Sequence, residues 1–470
     1  MTSAASPRIA RNSACVVALC GAYGIYCLVT RPPGPVTAPD TLGYLTFAPI
    51  RSLGYPVFLK LVGQRGAMML QPIFFAAALA SLGIETLRLT SSLLVSAAVV
   101  IAPMLIPELK TYHYSVLTES LFASLMMAFL SCVLGFVAAP SRPRIAGAAA
   151  LASVAAVVRS AGLAFLLVLP VMILIYWHRT AGARLVMLVA VVAPAVLILG
   201  GERAAALAIH GDKLTTIMGR HSFSKAALID APATPVPSED PQRAHFDEEL
   251  DVYYASMRQF LSSAPPSVRP VLTLFYEVCL QGPCVPELGT TEPGDTPKAV
   301  NHLLEQAGMA RLARAPLGYV ALTAGEYRSL WTAFRLRHPH TVSSVNAFVA
   351  AHRPLPFEGL VFRVGPRDVL EFQPSSPVRF IQPLVVALGW LTGVLALVAL
   401  VAAAARRELP PVLMAASLVS LTVHGGLLFT AVFAAGIGRF MLAFWPAVTT
   451  AAILGAWWMV SLVRDVEQPA

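Results

Sequence analysis

Residues 380–404, FIQPLVVALGWLTGVLALVALVAAA, carry no ionisable side chain and are followed by Ala405, Arg406 and Arg407. A helix needs about 20 residues to cross a hydrocarbon core of roughly 30 Å. This run is long enough, and its basic flank suits a cytoplasmic end. Apolar runs of comparable character lie at 12–29, 67–84, 91–107, 119–139, 145–158, 161–177, 183–200, 409–431 and 437–460. Together they predict an all-α polytopic membrane protein of about ten transmembrane helices. The runs 145–158 and 161–177 meet at VRSAG (158–162), so they read either as two short spans or as one kinked element.

Composition agrees. The 470 residues are 57% hydrophobic and 13% charged, with a mean hydropathy of +0.69. A soluble domain usually carries about 25% charged residues, so lipid must take the place of water around much of this chain. The formal charge of +9 does not point to nucleic acid, because the basic residues form no stripe and flank apolar runs instead. An excess of Arg over Lys suggests a bacterial source.

With the N-terminus inside, the predicted cytoplasmic segments hold Arg8 and Arg11, then Arg88, Arg142 with Arg144, Arg179 with Arg184, Arg406 with Arg407, and Arg464. Every inside segment therefore carries arginine, as the positive-inside rule requires. Both termini are expected in the cytoplasm. The first span reads as a retained signal anchor, ended by the proline-rich RPPGPVTAP (31–39). Three regions follow: an N-terminal transmembrane module at 1–200 with a first external loop at 30–66, a large and mostly helical external domain at 201–379, and a C-terminal transmembrane module at 380–470. Within the large loop, residues 247–263 and 297–316 have helical spacing, whereas 231–242 and 287–297 are rich in turn residues.

Six cysteines are too few for a disulfide scaffold. Cys15, Cys20, Cys27 and Cys132 read as small buried residues. Cys279 and Cys284 stand together in YEVCLQGPCVPE, where an external location would let them close a small disulfide ring. They have no metal-ligand pattern.

The first external loop contains APDTLGYLTFAPIRSLGYPVFLKLVG (38–63). Asp40 and Tyr44 are four apart and share a face if the segment is helical. Arg51 and the turn Gly54-Tyr55-Pro56 follow, and the segment around Lys60 is amphipathic enough to lie along the interface. Asp40 has three readings: cap of a short helix, partner in an ion pair, or carboxylate held over a cavity. Glu108 and Glu119 occur in PELKTYHYSVLTESLFASLM (107–126), where either can be a first-turn carboxylate favoured by the helix dipole. Arg159, in AAVVRSAGLAFLLVLP, must snorkel, pair or face a cavity at that depth. A lipid phosphate or Glu119 would satisfy it. Arg439 opens the last span in GIGRFMLAFWPAV. His424 and Trp445 read as packing residues.

This arrangement resembles membrane glycosyltransferases of the C-fold superfamily, especially the polyprenol-linked protein mannosyltransferases and the lipid A aminoarabinose transferases. Those proteins begin with one span, then an external loop with an acidic residue, a tyrosine and an R-x-x-G-Y-P-like turn. Asp40, Tyr44, Arg51 and Gly54-Tyr55-Pro56 match that order. The usual acidic pair is reduced to one acid, because Pro39 precedes Asp40. Glu108, Glu119, Arg159 and Arg439 fall where the family places its further acids and arginines. The resemblance is best over the first 180 residues and rejoins at 380–460.

It implies transfer of a sugar from a polyprenyl-phosphate donor at the periplasmic face of a bacterial cytoplasmic membrane. Asp40 would be the base, Glu108 the second acid, and Tyr44, Arg51, Tyr55, Glu119, Arg159 and Arg439 would contact substrate. Acceptor classes include protein, lipid A, polysaccharide and glycolipid. No cofactor is specified, and a divalent metal has carboxylates to bind but no defining pattern. Competing classes are a lipid flippase or transporter and a non-catalytic scaffold. On this reading Cys279 and Cys284 resist thiol labelling in the intact protein until a reductant is added, and rapid labelling beforehand would reject the disulfide.

Overall fold

The apolar runs become helices throughout, and among the described residues there is no strand. The computed structural model describes residues 7–38, 40–176, 184–229, 254–281, 297–332, 339–353, 382–434 and 438–467. Two compact units emerge: residues 1–209, 387–427 and 442–470 form the first, and 210–386 with 428–441 form the second.

The first unit contains α1 (Pro7–Val29), the short α2 (Thr41–Leu45), α3 (Gly54–Thr90), α4 (Leu93–Met104), α5 (Pro107–Tyr114), α6 (Glu119–Ala138), α7 (Arg142–Val158), α8 (Leu163–Ile175) and α9 (Arg184–His210). Helix α6 is central, with 78% of its most apolar window buried, against 28% for α1 and 11% for α9. The outer helices leave leucine and valine faces exposed, among them Leu188, Val189, Val196 and Leu197 of α9. A surface of that kind belongs in hydrocarbon. Phe165, in the first turn of α8, stacks on Phe129 and meets Phe122 of α6, and Phe444 closes against Phe122 at 5.5 Å.

Seven helices among the described residues are long and apolar enough to cross a membrane, or eight if one bent pair is counted as a span. Among the described residues this is two or three fewer than the expected ten or so, for identifiable reasons. Arg159 adopts an extended backbone (φ −155°, ψ 128°) and ends α7 after 17 residues. The apolar helix beyond it, Ser160–Ile175, is also short of a span. The 91–107 run breaks into α4 and α5, bent by 62°. Ile106 is extended because it precedes Pro107, which opens α5.

The interfacial segment expected near Lys60 is the first part of α3. Gly63, at φ 71° and ψ 168°, separates it from the long apolar part. Only glycine occupies that backbone region without strain. Gly54 is constrained differently: a Cβ there would lie 2.8 Å from the Val157 carbonyl oxygen, so the missing side chain lets α3 start against the end of α7.

The second unit contains α10 (Met218–Leu228), α11 (254–263), α12 (Arg269–Leu280), α13 (Pro297–Arg314), α14 (Pro316–Trp331) and α15 (Pro339–Ala351). The remaining helices, α16 (Gln382–Ala404), α17 (Pro411–Phe433) and α18 (Gly438–Glu467), are largely apolar. The helices expected at 247–263 and 297–316 appear as α11 and α13, residues 247–253 lying outside the described set. Phe223, Tyr254, Met257, Phe260, Leu272, Tyr276, Leu304 and Val345 build an aromatic-rich core. Arg311, 1% exposed, donates to the Ala226 and Ile229 carbonyls at the end of α10, each at 3.0 Å. Cys279 is disulfide-bonded, and Cys284 lies outside the described residues.

At the heart of this unit Lys225 of α10 contacts Glu326 of α14 at 2.5 Å and Glu277 of α12 at 3.1 Å. Burial alone would lower the lysine, but the two carboxylates outweigh it and hold it above its ordinary value. Burial, and then the charge of Glu277, push Glu326 up to about 10 despite Lys225. The folded state thus holds a proton on Glu326 that the unfolded chain releases near 4.5. This contribution to stability is complete below that value and declines as pH rises through about 10. Accordingly Glu326→Gln, which mimics the protonated acid, should fold and should flatten the fall in melting temperature between neutral and alkaline pH. Lys225→Met strands two buried acids and should cost about 3–5 kcal/mol. Thermal unfolding of the full chain in detergent measures both.

Candidate functional site

A single backbone bridge places the first loop. Val36 N donates to Tyr114 O at 2.8 Å and Val116 N donates to Val36 O at 2.9 Å, joining the loop to the α5–α6 connection. Thr41 Oγ1 then accepts from Ala38 N at 2.8 Å and donates to Val116 O at 3.2 Å. Asp40 stands just before this anchored threonine, and Glu119 starts α6 three residues after Val116. Lys110 packs on the Tyr26 ring at 4.1 Å, and Tyr114 donates to Cys27 O at 2.8 Å, which pins α5 to α1.

Asp40 occupies the position before α2, yet its side chain makes no cap hydrogen bond. It pairs with Arg51, Nη2 to Oδ1 at 2.6 Å, and both side chains remain 23% exposed. Of the three readings of Asp40, the ion pair is the one observed. Arg51 also lies over the Tyr44 ring at 5.0 Å. Tyr44 meets Tyr55 edge to face at 5.1 Å. Burial raises the Tyr44 hydroxyl above its usual range, against the lowering influence of Arg51, so it stays protonated at neutral pH and can donate. Asp40, Glu119 and Arg159 also act on Tyr44 electrostatically.

Beyond Tyr44 the environment becomes dry. Glu119 is 2% exposed and pairs with Arg159 at 3.3 Å, Arg159 being 14% exposed. The Arg159 guanidinium also lies 5.7 Å from the Phe122 ring centre. Thus the alternative in which Glu119 satisfies Arg159 is realised. The difference in exposure matters: Asp40 can be reached by a ligand, whereas Glu119 is sealed.

Tyr55 is fully buried, and its hydroxyl donates to Gln71 Oε1 at 3.5 Å. Gln71 in turn donates to the carbonyls of His113 and Ser115 at 3.1 and 3.2 Å. The His113 ring lies between the Tyr23 and Ser120 hydroxyls, at 3.2 and 2.7 Å. This polar floor was not identified from sequence; Gln71, isolated within MLQPIFF, was its available signal. Glu202 of α9 was missed as well. Its Oε1 accepts from Leu53 N at 3.0 Å, at the start of α3 between Arg51 and Tyr55.

Of the remaining expected residues, Glu108 is not brought into the cluster and the Arg439 side chain lies outside the described residues. Glu108 sits in the first turn of α5 with Oε2 enclosed and unbonded, and among the described residues no hydrogen bond or ion pair ties it to Asp40, Arg51, Glu119 or Arg159. It behaves as a first-turn carboxylate behind Pro107. Arg439 lies in the first turn of α18, but its side chain is outside the described residues. His424 contacts Thr392 Oγ1 at 3.0 Å, in keeping with a packing role. Among the described residues no group of three or more His, Cys, Asp or Glu side chains is placed to hold a metal.

The opposite end of the same helices carries a second charged group. Glu85 of α3 contacts Arg88 at 2.5 Å and Arg144 of α7 at 3.9 Å, and Arg144 donates to the Gly135 carbonyl near the end of α6. At 1.5 Å per residue, the 20 residues of α6 separate the two charged ends by about 30 Å, the thickness of a bilayer core.

No family model matches this chain, and no curated protein or solved structure matches it. Arg159→Ala, which removes the guanidinium from a sealed carboxylate, should destabilise by about 3–5 kcal/mol. The double change Glu119→Leu with Arg159→Met should recover most of that loss. A melting series of the single and double variants checks this, and additive losses would deny the coupling.

Proposed function

We propose that the chain is a glycosyltransferase that moves a sugar from a polyprenyl-phosphate donor to an acceptor at the outer face of a bacterial cytoplasmic membrane. The observation carrying this reading is the convergence of Asp40, Tyr44, Arg51, Glu119 and Arg159 at one end of an apolar helical bundle. A lipid-linked phosphosugar has matching needs. Its tail requires hydrocarbon, its phosphate requires cations, and its acceptor requires a base. The disulfide at Cys279 fits an oxidising compartment for the second unit, and the arginine pattern supports cytoplasmic termini.

In the proposed reaction an acceptor hydroxyl or amine attacks the anomeric carbon as Asp40 takes its proton. The bond from that carbon to the phosphate oxygen breaks, and its electrons leave with the polyprenyl phosphate. Arg159 would stabilise the developing negative charge through guanidinium hydrogen bonds. Arg51 holds Asp40 until a substrate phosphate competes for the guanidinium, and protonated Tyr44 donates to the sugar. Glu119 keeps Arg159 oriented, a positioning role instead of direct contact.

The break between α4 and α5 favours a second reading, a lipid-linked-sugar transporter, since broken helices often line translocation paths. The experiment that separates them is sugar transfer from an extracted lipid-linked donor pool. Asp40→Asn should retain folding and lose transfer by about 10²–10⁴-fold, the usual contribution of a general base. Wild-type transfer by that variant removes Asp40 from the base role, and donor translocation without transfer favours the transporter.

A further inference from the structure

Helix α5 ends at Tyr114, and the carbonyls of its last turn have no partner among its own amides. Each finds one elsewhere. Ser115 Oγ donates to Thr111 O at 2.9 Å and Ser115 N to Tyr112 O at 3.2 Å. Gln71 Nε2 donates to His113 O at 3.1 Å, and Val36 N donates to Tyr114 O at 2.8 Å. The chain then runs extended through Ser115 (φ −89°, ψ 141°). Ser115 O accepts from Gln71 Nε2 at 3.2 Å, and Val116 O accepts from Thr41 Oγ1 at 3.2 Å.

Alternate carbonyls of one four-residue segment are thus divided between α3 and the first loop. Gln71 takes those of His113 and Ser115; the loop takes those of Tyr114 and Val116. On the loop side, Thr41 N donates to Ala38 O at 2.9 Å and Ala38 N donates to Thr41 Oγ1 at 2.8 Å, so Asp40 sits inside a closed turn. Gln71 is 1% exposed, so no water stands in for it. Its amide has two protons, one for each carbonyl, and its Oε1 accepts from the Tyr55 hydroxyl at 3.5 Å.

We infer that Gln71 is a positioning residue for the proposed transfer: by fixing residues 113–116 from α3, it sets the place of Asp40. The inference rests on the reading of Asp40 as the base. The Asp40 side chain makes no cap bond to α2, and its ion pair with Arg51 loosens when a substrate phosphate draws the guanidinium away. The backbone anchored at Thr41 then keeps the carboxylate in place. Arg159, set between α7 and α8 and paired with Glu119, does not depend on this anchor. Loosening it therefore acts on the chemical step more than on donor binding.

Gln71→Met keeps similar bulk but leaves two buried carbonyls without a donor, so it is matched with Thr41→Val, which frees the same turn by removing one hydroxyl. The full chain in lipid nanodiscs is followed by hydrogen exchange over residues 34–42 and by donor-dependent transfer kinetics. In both variants exchange should quicken by about five- to tenfold, the worth of one hydrogen bond. The kcat should fall by about 10- to 100-fold while the donor KM barely moves, as for a catalytic group shifted out of line. A wild-type kcat in folded Gln71→Met, alongside transfer lost in Asp40→Asn, overturns the positioning role alone. If Gln71→Met does not fold, wild-type exchange and kcat in Thr41→Val overturn it equally. Full transfer by Asp40→Asn overturns the base reading itself.

Discussion

The bridge between Val36 and Ser115 is the contact on which the candidate site depends. A loop leaving the first span has many paths across the end of a helical bundle. Two backbone hydrogen bonds and the Thr41 hydroxyl select one of them. Once Thr41 is anchored to Val116, Asp40 and Tyr44 on one strap and Glu119 on the other are brought to the same corner. Gly54 completes the corner by letting the start of α3 touch Val157, two residues before Arg159. The chemistry-bearing side chains are therefore placed by backbone contacts between segments far apart in the chain.

Charge balance explains why such a corner survives at a membrane boundary. Each arginine of the described cluster meets a carboxylate, and the two pairs differ in their access to water. In the Glu119–Arg159 pair the carboxylate is sealed while the guanidinium keeps 14% exposure, so the pair depends on close geometry and the Phe122 ring. The Asp40–Arg51 pair retains access and can exchange partners at modest cost. A site built this way has one rigid half and one half able to respond to an anion.

Much of the fold was legible because hydrophobic run length maps directly onto span length. The run 380–404 became α16 with little change in its ends. The count failed where the chain breaks inside apolar sequence, at Arg159 and at Pro107. Periodicity and hydropathy do not distinguish a continuous span from two helices meeting at an extended residue. The site was partly legible, since Asp40, Tyr44, Arg51, Tyr55, Glu119 and Arg159 do gather. Their pairing was not, because Asp40 could equally have capped α2. Gln71, Glu202 and Lys225 escaped notice because each is a single polar residue whose partners lie far along the chain.

Lys225 also bears on why a membrane protein would retain so large a polar loop. In hydrocarbon, a helix end must find partners for its carbonyls within the protein. At a membrane boundary water can serve, but water imposes no direction. The second unit instead offers an ammonium fixed by two acids and a tyrosine hydroxyl, both aimed at successive carbonyls of α17. Two directional bonds on adjacent residues resist rotation of the helix end as well as its displacement. The burial of three ionisable groups, unfavourable in itself, makes physical sense when their arrangement satisfies a carbonyl at the end of α17.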